Sequence, residues 1–599
     1  MNDSIITKIN AILLTFNTAL DRMDVTSIMS CFHENAYWRD LLAFTWNIKT
    51  LEGKAQISDM LLHQLQQIKA TSFRLDQQDQ VSEENGMYSG WINFETEVAQ
   101  GYGHIRILDG KIFSLLTTIS DLKGYEESIK SKRPLGTIHG AAKNRQNWQA
   151  ALDQERQELG YTKQPYALII GGGQNGIVLG ARLRMLGVPS IIIEKNPKAG
   201  DNWRKRYKSL CLHDPVWYDH LPYMPFPDTW PVFTPKDKMG DWLEVYTKVM
   251  ELNYWTNSSC KKAHYNEETG LWSVTIDRDG KELELQPTQL ILATGRSGKV
   301  NLPSFKGMEK FKGDQHHSSA HPGPDAYKGK KALVIGSNNS AHDIAAALWE
   351  SDVDVTMVQR SSTLIVRSEP LMELALNDLY SEEAVQKGIS TDKADMILAS
   401  LSVSLLTEGQ KQIYAEIQKR DAEFYARLRK AGFMLDFGED GSGAFIMYLR
   451  RGSGYYIDVG ASELVADGKI KLKTTTGVKE ITEDSVIFDD DTELKADLIV
   501  YATGYGNMIG WIEDLISKEV ADKVGICGGI GSETIHDPGP WEGESRNMWK
   551  PTQQDKLWFQ AGNLYQARFY SRYLALQIKA RMEGIQTPVY GIPEAVKLQ

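Results

Sequence analysis

Cysteine is scarce in this sequence: four in 599 residues, at Cys31, Cys211, Cys260 and Cys527. No two are spaced as a C-x-x-C or C-x4-C pair, which excludes a local redox dithiol and a zinc clip. Such usage fits a reducing compartment. Excess positive charge is missing too. The formal net charge of −11 argues against a nucleic-acid binder, which needs a basic face to neutralise phosphates. No apolar run approaches the roughly 20 residues of a membrane span. The opening stretch MNDSIITKINAILLTF has no basic segment ahead of an apolar one, so it reads as an amphipathic helix rather than a signal peptide. The expectation is a soluble, cytoplasmic protein without a metal centre.

The chain is too long for one hydrophobic core, and its length suggests about three to five domains. Residues 1–125 form a first unit. Ile5, Ile9, Ile12, Leu13 and Phe16 recur at helical spacing, as do Ile57, Leu61, Leu62 and Leu65. Strand patterns follow, punctuated by hairpin turns at Asn85-Gly86 and Asp109-Gly110. Helices followed by antiparallel strands make an α+β unit. That order, with AYWRDLLAFTW from Ala36 to Trp46 and Gly53, resembles the nuclear-transport-factor-2-like cone fold. The resemblance implies a pocket that His33, Asp40 and His104 would line as acid–base groups. An accessory domain that packs or makes a homodimer is the other reading. Residues 126–164 read as a linker with a helix from Ala141 to Leu159.

From Tyr166 the chain alternates strand and helix, and two glycine-rich turns stand in near-identical strand–turn–helix settings. In the first, Gly171-Gly172-Gly173-Gln174-Asn175-Gly176 satisfies GxGxxG after a strong strand. The glycines permit a tight turn, backbone approach to a pyrophosphate and close helix–strand packing. The helix that starts at Gln174 and Asn175 offers its N-terminus to a phosphate. The next strand ends in Glu194, followed by Lys195, and a carboxylate there suits ribose hydroxyls. The second turn, Gly336-Ser337-Asn338-Asn339-Ser340-Ala341, is looser, with Asn338 at the middle glycine position. Its next strand ends in Arg360, beside Ser361 and Ser362, a set that suits a ribose 2′-phosphate. Two dinucleotides, FAD and NADPH, are therefore expected. Leu292-Ala293-Thr294-Gly295 and Tyr501-Ala502-Thr503-Gly504 each end a buried strand and return the chain to a nucleotide domain.

The fold expected is α/β, with two Rossmann-like dinucleotide-binding domains preceded by the small α+β unit. The FAD domain takes residues 165–300 and 476–599. The NADPH domain takes residues 301–475 and carries a helical insertion at about 370–440.

The two nucleotide turns, both ATG turns, and Phe311-Lys312-Gly313-Asp314-Gln315-His316-His317 together resemble a class B flavoprotein monooxygenase. Gly200-Asp201-Asn202-Trp203-Arg204, RYKSLCLHDP and LPYMPFP are similar to flavin-containing monooxygenases and their plant auxin-making relatives. With the N-terminal extension, the chain looks like the type II subgroup, some of whose members are Baeyer–Villiger oxidants. One departure is His321, which stands where the family fingerprint has an aromatic residue. The resemblance implies a cycle in which NADPH reduces FAD, dioxygen forms a flavin C(4a)-(hydro)peroxide, and one oxygen atom enters a small organic substrate. That substrate is a ketone or a soft sulfur or nitrogen centre.

It also implies that Asn202 and Trp203 lie along the flavin and that His213 and Asp214 lie beside it. In Tyr448-Leu449-Arg450-Arg451-Gly452-Ser453-Gly454-Tyr455-Tyr456, Arg451 would stabilise the peroxide anion and Arg450 would contact a phosphate. Asn563 would bond the ring edge. A hydrogen-bonded loop pair is the other reading of His213 and Asp214, and an exposed turn that of the two arginines. A disulfide reductase-like enzyme needs the dithiol this chain lacks, and a non-catalytic flavin-binding sensor is the alternative from another class.

Overall fold

The computed structural model describes residues 2–296 and 298–597. Its N-terminal unit packs the helices Asn2–Asp21 and Gly53–Ile68 against a curved seven-stranded sheet. Ile48–Glu52, Phe32–Leu41, Lys111–Leu122, Ala99–Leu108, Met87–Glu95 and Thr71–Leu75 lie side by side in that order, and Ser82–Glu84 adds to Met87–Glu95. Residues alternate between the two faces of each strand. Ile92, Phe94, Ile105 and Ile107 thereby enter the core with Phe16, Trp38, Phe44 and Phe73. Phe73 and Phe94 stack with ring centres 4.6 Å apart.

This filled interior corrects the expectation of a pocket lined by His33, Asp40 and His104. Asp40 alone is in the core, and its carboxylate accepts hydrogen bonds from the hydroxyls of Thr45 (2.7 Å) and Thr117 (2.6 Å) and the backbone N–H of Thr45 (2.8 Å). Burial pushes it up to about 6 against those donors. His33 packs on Phe113 (5.9 Å). His104 lies on the opposite sheet face from Ile105, against Trp91 at 4.6 Å. The alternation that fills the core keeps these three side chains apart.

Two five-stranded parallel sheets follow. The first runs Tyr254–Trp255, Ser190–Ile193, Ala167–Ile170, Gln289–Leu292 and Leu557–Phe559. The second runs Asp314–His317, Leu498–Tyr501, Lys331–Ile335, Asp354–Gln359 and Lys471–Thr474. Their central strands are buried along their whole length, as parallel strands covered by helices on both faces must be. Leu498–Tyr501 pairs with Lys331–Ile335 in the second sheet, so residues 476–505 do not belong to the first nucleotide domain. Only Leu557–Phe559, beside Gln289–Leu292, and the final helix Leu564–Met582 complete it.

The linker helix starts at Trp148 rather than Ala141, because the Asn147 side chain caps it by accepting from the N–H of Ala150. The insertion is longer than its hydrophobic pattern indicates. Helices Thr391–Ala399, Val403–Arg420, Ala422–Lys430 and Gly443–Arg451 carry it to Arg451.

The N-terminal unit is no separate lobe. Arg106 donates to the Ser400 carbonyl (2.7 Å) and hydroxyl (2.8 Å), and Lys393 sits 3.8 Å above the Trp91 ring and pairs with Asp79 at 2.6 Å. Asn47 and Gln64 donate to the carbonyls of Tyr590 and Pro588, both at 2.9 Å. The chain's own insertion and C-terminal segment thus pack against this unit. Among the described residues no helix is long and apolar enough to cross a membrane, and no cluster of side chains is arranged to hold a metal ion.

Candidate functional site

Each glycine turn is closed by its own ATG turn. Gly171 has φ +110°, and a Cβ there would lie 2.4 Å from the Ala293 carbonyl oxygen. Gly336 has φ +130°, and a Cβ there would lie 2.2 Å from the Ala502 carbonyl oxygen. Only glycine meets both demands, since the left-handed region and the close approach each exclude a side chain. The repeated Ala-Thr-Gly is therefore the other half of the repeated turn.

In the first turn, Gly173 precedes the helix Gln174–Met185. A Cβ on Gly173 would meet protein only at the Asn202 amide nitrogen, 3.0 Å away, so the space in front of this helix start is open. Gln174 accepts from the Trp203 indole N–H (3.3 Å), which brings the Asn202–Trp203 loop against the turn. Glu194 is only 7% exposed. Its carboxylate accepts from the Gly172 N–H (2.9 Å) and from the N–H (2.9 Å) and side-chain amide (2.7 Å) of Asn196. Lys195 beside it is exposed. Asn175 donates to the Gly562 carbonyl at 3.0 Å, joining the turn to the final helix. Among the described residues its amide oxygen is buried without a partner, and so is the Thr294 hydroxyl.

The second turn is built more openly. Asn338 precedes the helix Asn339–Glu350. The Ser337 hydroxyl bonds that of Thr363 at 2.7 Å, and Asn339 accepts from the Ile457 N–H at 3.1 Å. Ser340 is half-buried in the first turn of the helix. Arg360 and Ser361 are exposed, and Arg360 forms no ion pair with a described residue. Ser362 donates to Asp436 at 2.6 Å. An open cleft of about 360 Å³ runs from here, lined by Asn338, Ser361, Arg296, Arg451 and the Tyr505 loop. The Tyr505 hydroxyl is buried without a partner among the described residues.

Arg450 and Arg451 occupy the last turn of Gly443–Arg451, not a free turn. Arg450 is held bidentately by Asp440, at 3.1 and 2.7 Å. Asp440 thus takes both terminal nitrogens of Arg450, which also lines the cleft, and its Nε is buried without a partner among the described residues. Arg451 has no carboxylate partner. Its guanidinium lies on Gly454, where a Cβ would come within 2.0 Å of it, and donates to the Ser453 carbonyl at 3.2 Å.

His213 and Asp214 part company. His213 pairs with Asp343 at 3.4 Å, on the helix of the second turn. Burial lowers its pKa, but Asp343, together with the charges of Asp214 and Asp458, raises it, and the net shift is upward. This is a seam between the two nucleotide domains, tying the loop of the first to the helix of the second. Asp214 has its pKa raised by burial, against the opposing charge of His213. Its charge is felt by Tyr218, Tyr448 and Tyr455. Two of them, Tyr448 and Tyr218, converge on Asn563, whose N–H donates to the Tyr448 hydroxyl (3.0 Å) and whose amide donates to the Tyr218 hydroxyl (3.3 Å).

Two residues here escaped the sequence reading. Arg296 follows the first ATG turn, and its guanidinium sits 5.1 Å from the Tyr448 ring centre. Its place directly after that turn was the one available signal. Tyr448 reads in sequence only as the start of the arginine segment, and its contact with Asn563 joins residues 115 apart.

Comparison with known proteins places the chain. Residues 196–372 and 458–535 match the family model described as flavin-binding monooxygenase-like. Most of the helical insertion, including Arg450 and Arg451, lies between those matched stretches. The chain is 29% identical over 377 residues to the indole-3-pyruvate monooxygenase YUCCA1 of Oryza sativa subsp. japonica, covering 62% of this chain and 84% of that protein. It is 27% identical to the probable indole-3-pyruvate monooxygenase YUCCA9 of Arabidopsis thaliana, covering 63% and 82%. Among solved structures, an open cyclohexanone monooxygenase aligns with a TM-score of 0.51 at 15% identity, covering 70% of this chain and 88% of that one. The OTEMO complex with FAD and NADP aligns with a TM-score of 0.51 at 17% identity, covering 70% and 85%. These two likenesses concern the fold: two Rossmann-like domains in one chain. The expected kinship is borne out: the chain is similar to flavin-binding monooxygenase-like proteins over both matched stretches and to the plant monooxygenases over most of its nucleotide domains.

Proposed function

We propose that this protein is an FAD-dependent, NADPH-consuming monooxygenase acting on a small organic molecule. One atom of dioxygen enters the substrate and the other leaves as water, with NADPH and a proton supplying two electrons and two hydrogens. The observation that carries this reading is the pair of matched turns with opposite charges, a buried Glu194 in one and an exposed Arg360 in the other. The open space before Gln174 and the unpartnered Asn175 and Thr294 oxygens fit an FAD pyrophosphate and ribose at the first turn. Glu194 would accept from ribose hydroxyls. Arg360 and Ser361 would hold the 2′-phosphate of NADPH along the cleft.

Bound flavin, once reduced, supplies the oxygen chemistry. Arg451 and Arg296 line the cleft beside the place where negative charge would develop, and fixed cations lower the energy of such charge. Asp214, its carboxyl raised by burial, can hold a proton near the Tyr218–Tyr448 pair. Asn563 and Tyr448 would orient the ring edge. The unpaired Arg451 favours a ketone over a sulfur or nitrogen centre, since only the ketone reaction uses a stabilised anion. The test is turnover under 18O-labelled dioxygen with a ketone and a sulfide. One labelled atom per product and one NADPH per product are expected. NADPH consumption with no labelled product would overturn the reading in favour of an oxidase, and no NADPH consumption at all would favour a flavin sensor.

A further inference from the structure

Residues 526–546 form a loop that folds back on itself. The Gly528 N–H donates to the Arg546 carbonyl (2.8 Å), the Arg546 N–H to the Gly529 carbonyl (3.1 Å) and the Glu542 N–H to the Ile530 carbonyl (2.9 Å). Asp537 is buried at its centre. Its carboxylate accepts from the backbone N–H groups of Ile530 and Gly531 (both 3.1 Å) and Ser532 (3.0 Å), and from the Ser532 hydroxyl (2.9 Å). Arg546 approaches the same carboxylate at 3.4 Å. A network this connected makes the loop one rigid piece.

Its two sides face different parts of the molecule. Gly528, Gly529, His536, Asp537 and Pro538 line the cleft of about 360 Å³, together with Arg451 and Ser361. The opposite side, residues 541–544, lies on the N-terminal unit. Arg39 and Thr50 pair across the strands Phe32–Leu41 and Ile48–Glu52, so their side chains leave the same face of the sheet. Both reach Glu544. Arg39 donates to its two carboxylate oxygens (2.6 and 3.0 Å), and the Thr50 hydroxyl donates at 2.7 Å. Arg39 is itself fixed by the Ala399 carbonyl (3.0 Å) and the Tyr570 hydroxyl (2.9 Å). Lys49 pairs with Glu542 at 3.4 Å, and the Trp541 indole donates to Glu52 at 3.2 Å. Neither Arg39 nor Thr50 lines the cleft.

We infer that the N-terminal unit is a clamp on the nucleotide cleft: through Glu544 it fixes the 526–546 loop as the cleft's wall, which makes Arg39 and Thr50 positioning residues for NADPH. The inference rests on the reading of this cleft as the NADPH site and gives the N-terminal unit its part in that reading. A wall held in place before the nucleotide arrives spares binding the cost of ordering it. Arg39 and Glu544 are both buried, and a buried forked pair holds its partners in one geometry, which an exposed pair does not.

Equilibrium dialysis of NADP⁺ against the oxidised, FAD-loaded enzyme tests this without turnover. Arg39→Lys keeps the charge and loses the fork, and it should weaken NADP⁺ by about fivefold or more. Thr50→Val removes one hydrogen bond to Glu544 and should weaken NADP⁺ about two- to threefold, which keeps the test open if Arg39→Lys does not fold. Flavin content should match wild type in both, and flavin reduction at saturating NADPH should stay within about twofold, so that KM moves and kcat does not. A covalent clamp is the control. A Cβ on Gly543 would lie 3.5 Å from that of Thr50, within the span of a disulfide. Thr50→Cys with Gly543→Cys, built on Arg39→Lys, should bind NADP⁺ as wild type does when oxidised, and about fivefold more weakly after dithiothreitol. Affinity unmoved by Arg39→Lys and Thr50→Val, affinity equal in the oxidised and reduced cysteine pair, or flavin loss in step with NADP⁺ would overturn the inference alone, since wild type would still bind NADP⁺. A wild-type enzyme that binds no NADP⁺ would strike the cofactor reading, and the clamp with it.

Discussion

Glu194 and Arg360 sit at equivalent places in two copies of one motif, and their surroundings differ in every respect that matters. Glu194 is buried and anchored by three N–H donors from Gly172 and Asn196. Arg360 is exposed at its strand end. The first turn carries glycine at its middle position and the second carries Asn338. A preformed, desolvated carboxylate suits a ligand that stays, because the ordering cost is already met in the empty site. A free guanidinium above an open cleft suits a ligand that arrives, reacts and leaves. Both turns share the same strained glycine against an alanine carbonyl, so the backbone frame is common and the side chains around it set the lifetime of the complex.

The sharpest way to break this contrast is Gly173→Ala. Its new methyl group meets protein only at the Asn202 amide, so the chain should fold with a near-normal melting temperature. It should nonetheless purify with less than a tenth of the flavin absorbance, because the methyl group occupies the pyrophosphate's approach. Full flavin content would remove the first turn from cofactor binding. Next in size is Arg451→Ala. NADPH should still bleach the flavin at the wild-type rate, while ketone product falls by about 100-fold, the scale of losing one charge-stabilising donor. An unchanged product yield would place the charge stabilisation elsewhere, with Arg296 the next residue to replace.

Arg360→Ala should raise KM for NADPH by about tenfold or more and leave KM for NADH unmoved, with stability within about 0.5 kcal/mol as for an exposed side chain. Equal changes for both cofactors would refute the phosphate role. The smallest effect concerns the seam between the two sites. His213 has its pKa raised in the folded protein, so the His213–Asp343 pair stabilises fully below the unfolded value of about 6.5 and is lost as pH rises through the folded value. The melting temperature of wild type should therefore exceed that of Asp343→Asn most clearly below pH 6 and converge with it in alkali. A gap independent of pH would mean that the pair acts through packing alone.

How legible a feature was tracks how far apart its parts lie in the chain. GxGxxG, its following Glu194 and the two ATG turns are short-range patterns whose local geometry is enforced by neighbours, although the second ATG turn ends a strand of the second nucleotide domain and not of the first. Arg450 and Arg451 are adjacent, yet one is locked to Asp440 and the other is free, a difference set by helix Gly443–Arg451 and the loop that precedes it. The second nucleotide domain runs past residue 476 because Leu498–Tyr501 finds its partner 166 positions earlier, at Ala332 to Ile335. Strand pairing across such separations leaves no local mark.

By itself the sequence determined the chemistry class: glycine turns, the residues that end the following strands, and a cysteine content that leaves no dithiol. These act within a few residues, where backbone sterics and strand–turn–helix geometry leave little choice. The tertiary structure decided the rest. It filled the N-terminal unit with an apolar core, since strand alternation sets Asp40 on one face of the sheet and His104 on the other. It then brought Arg39 to Glu544, 505 positions away. A buried pair of that kind forms only when the packed chain removes both groups from water together, and composition and spacing carry no record of which two those are.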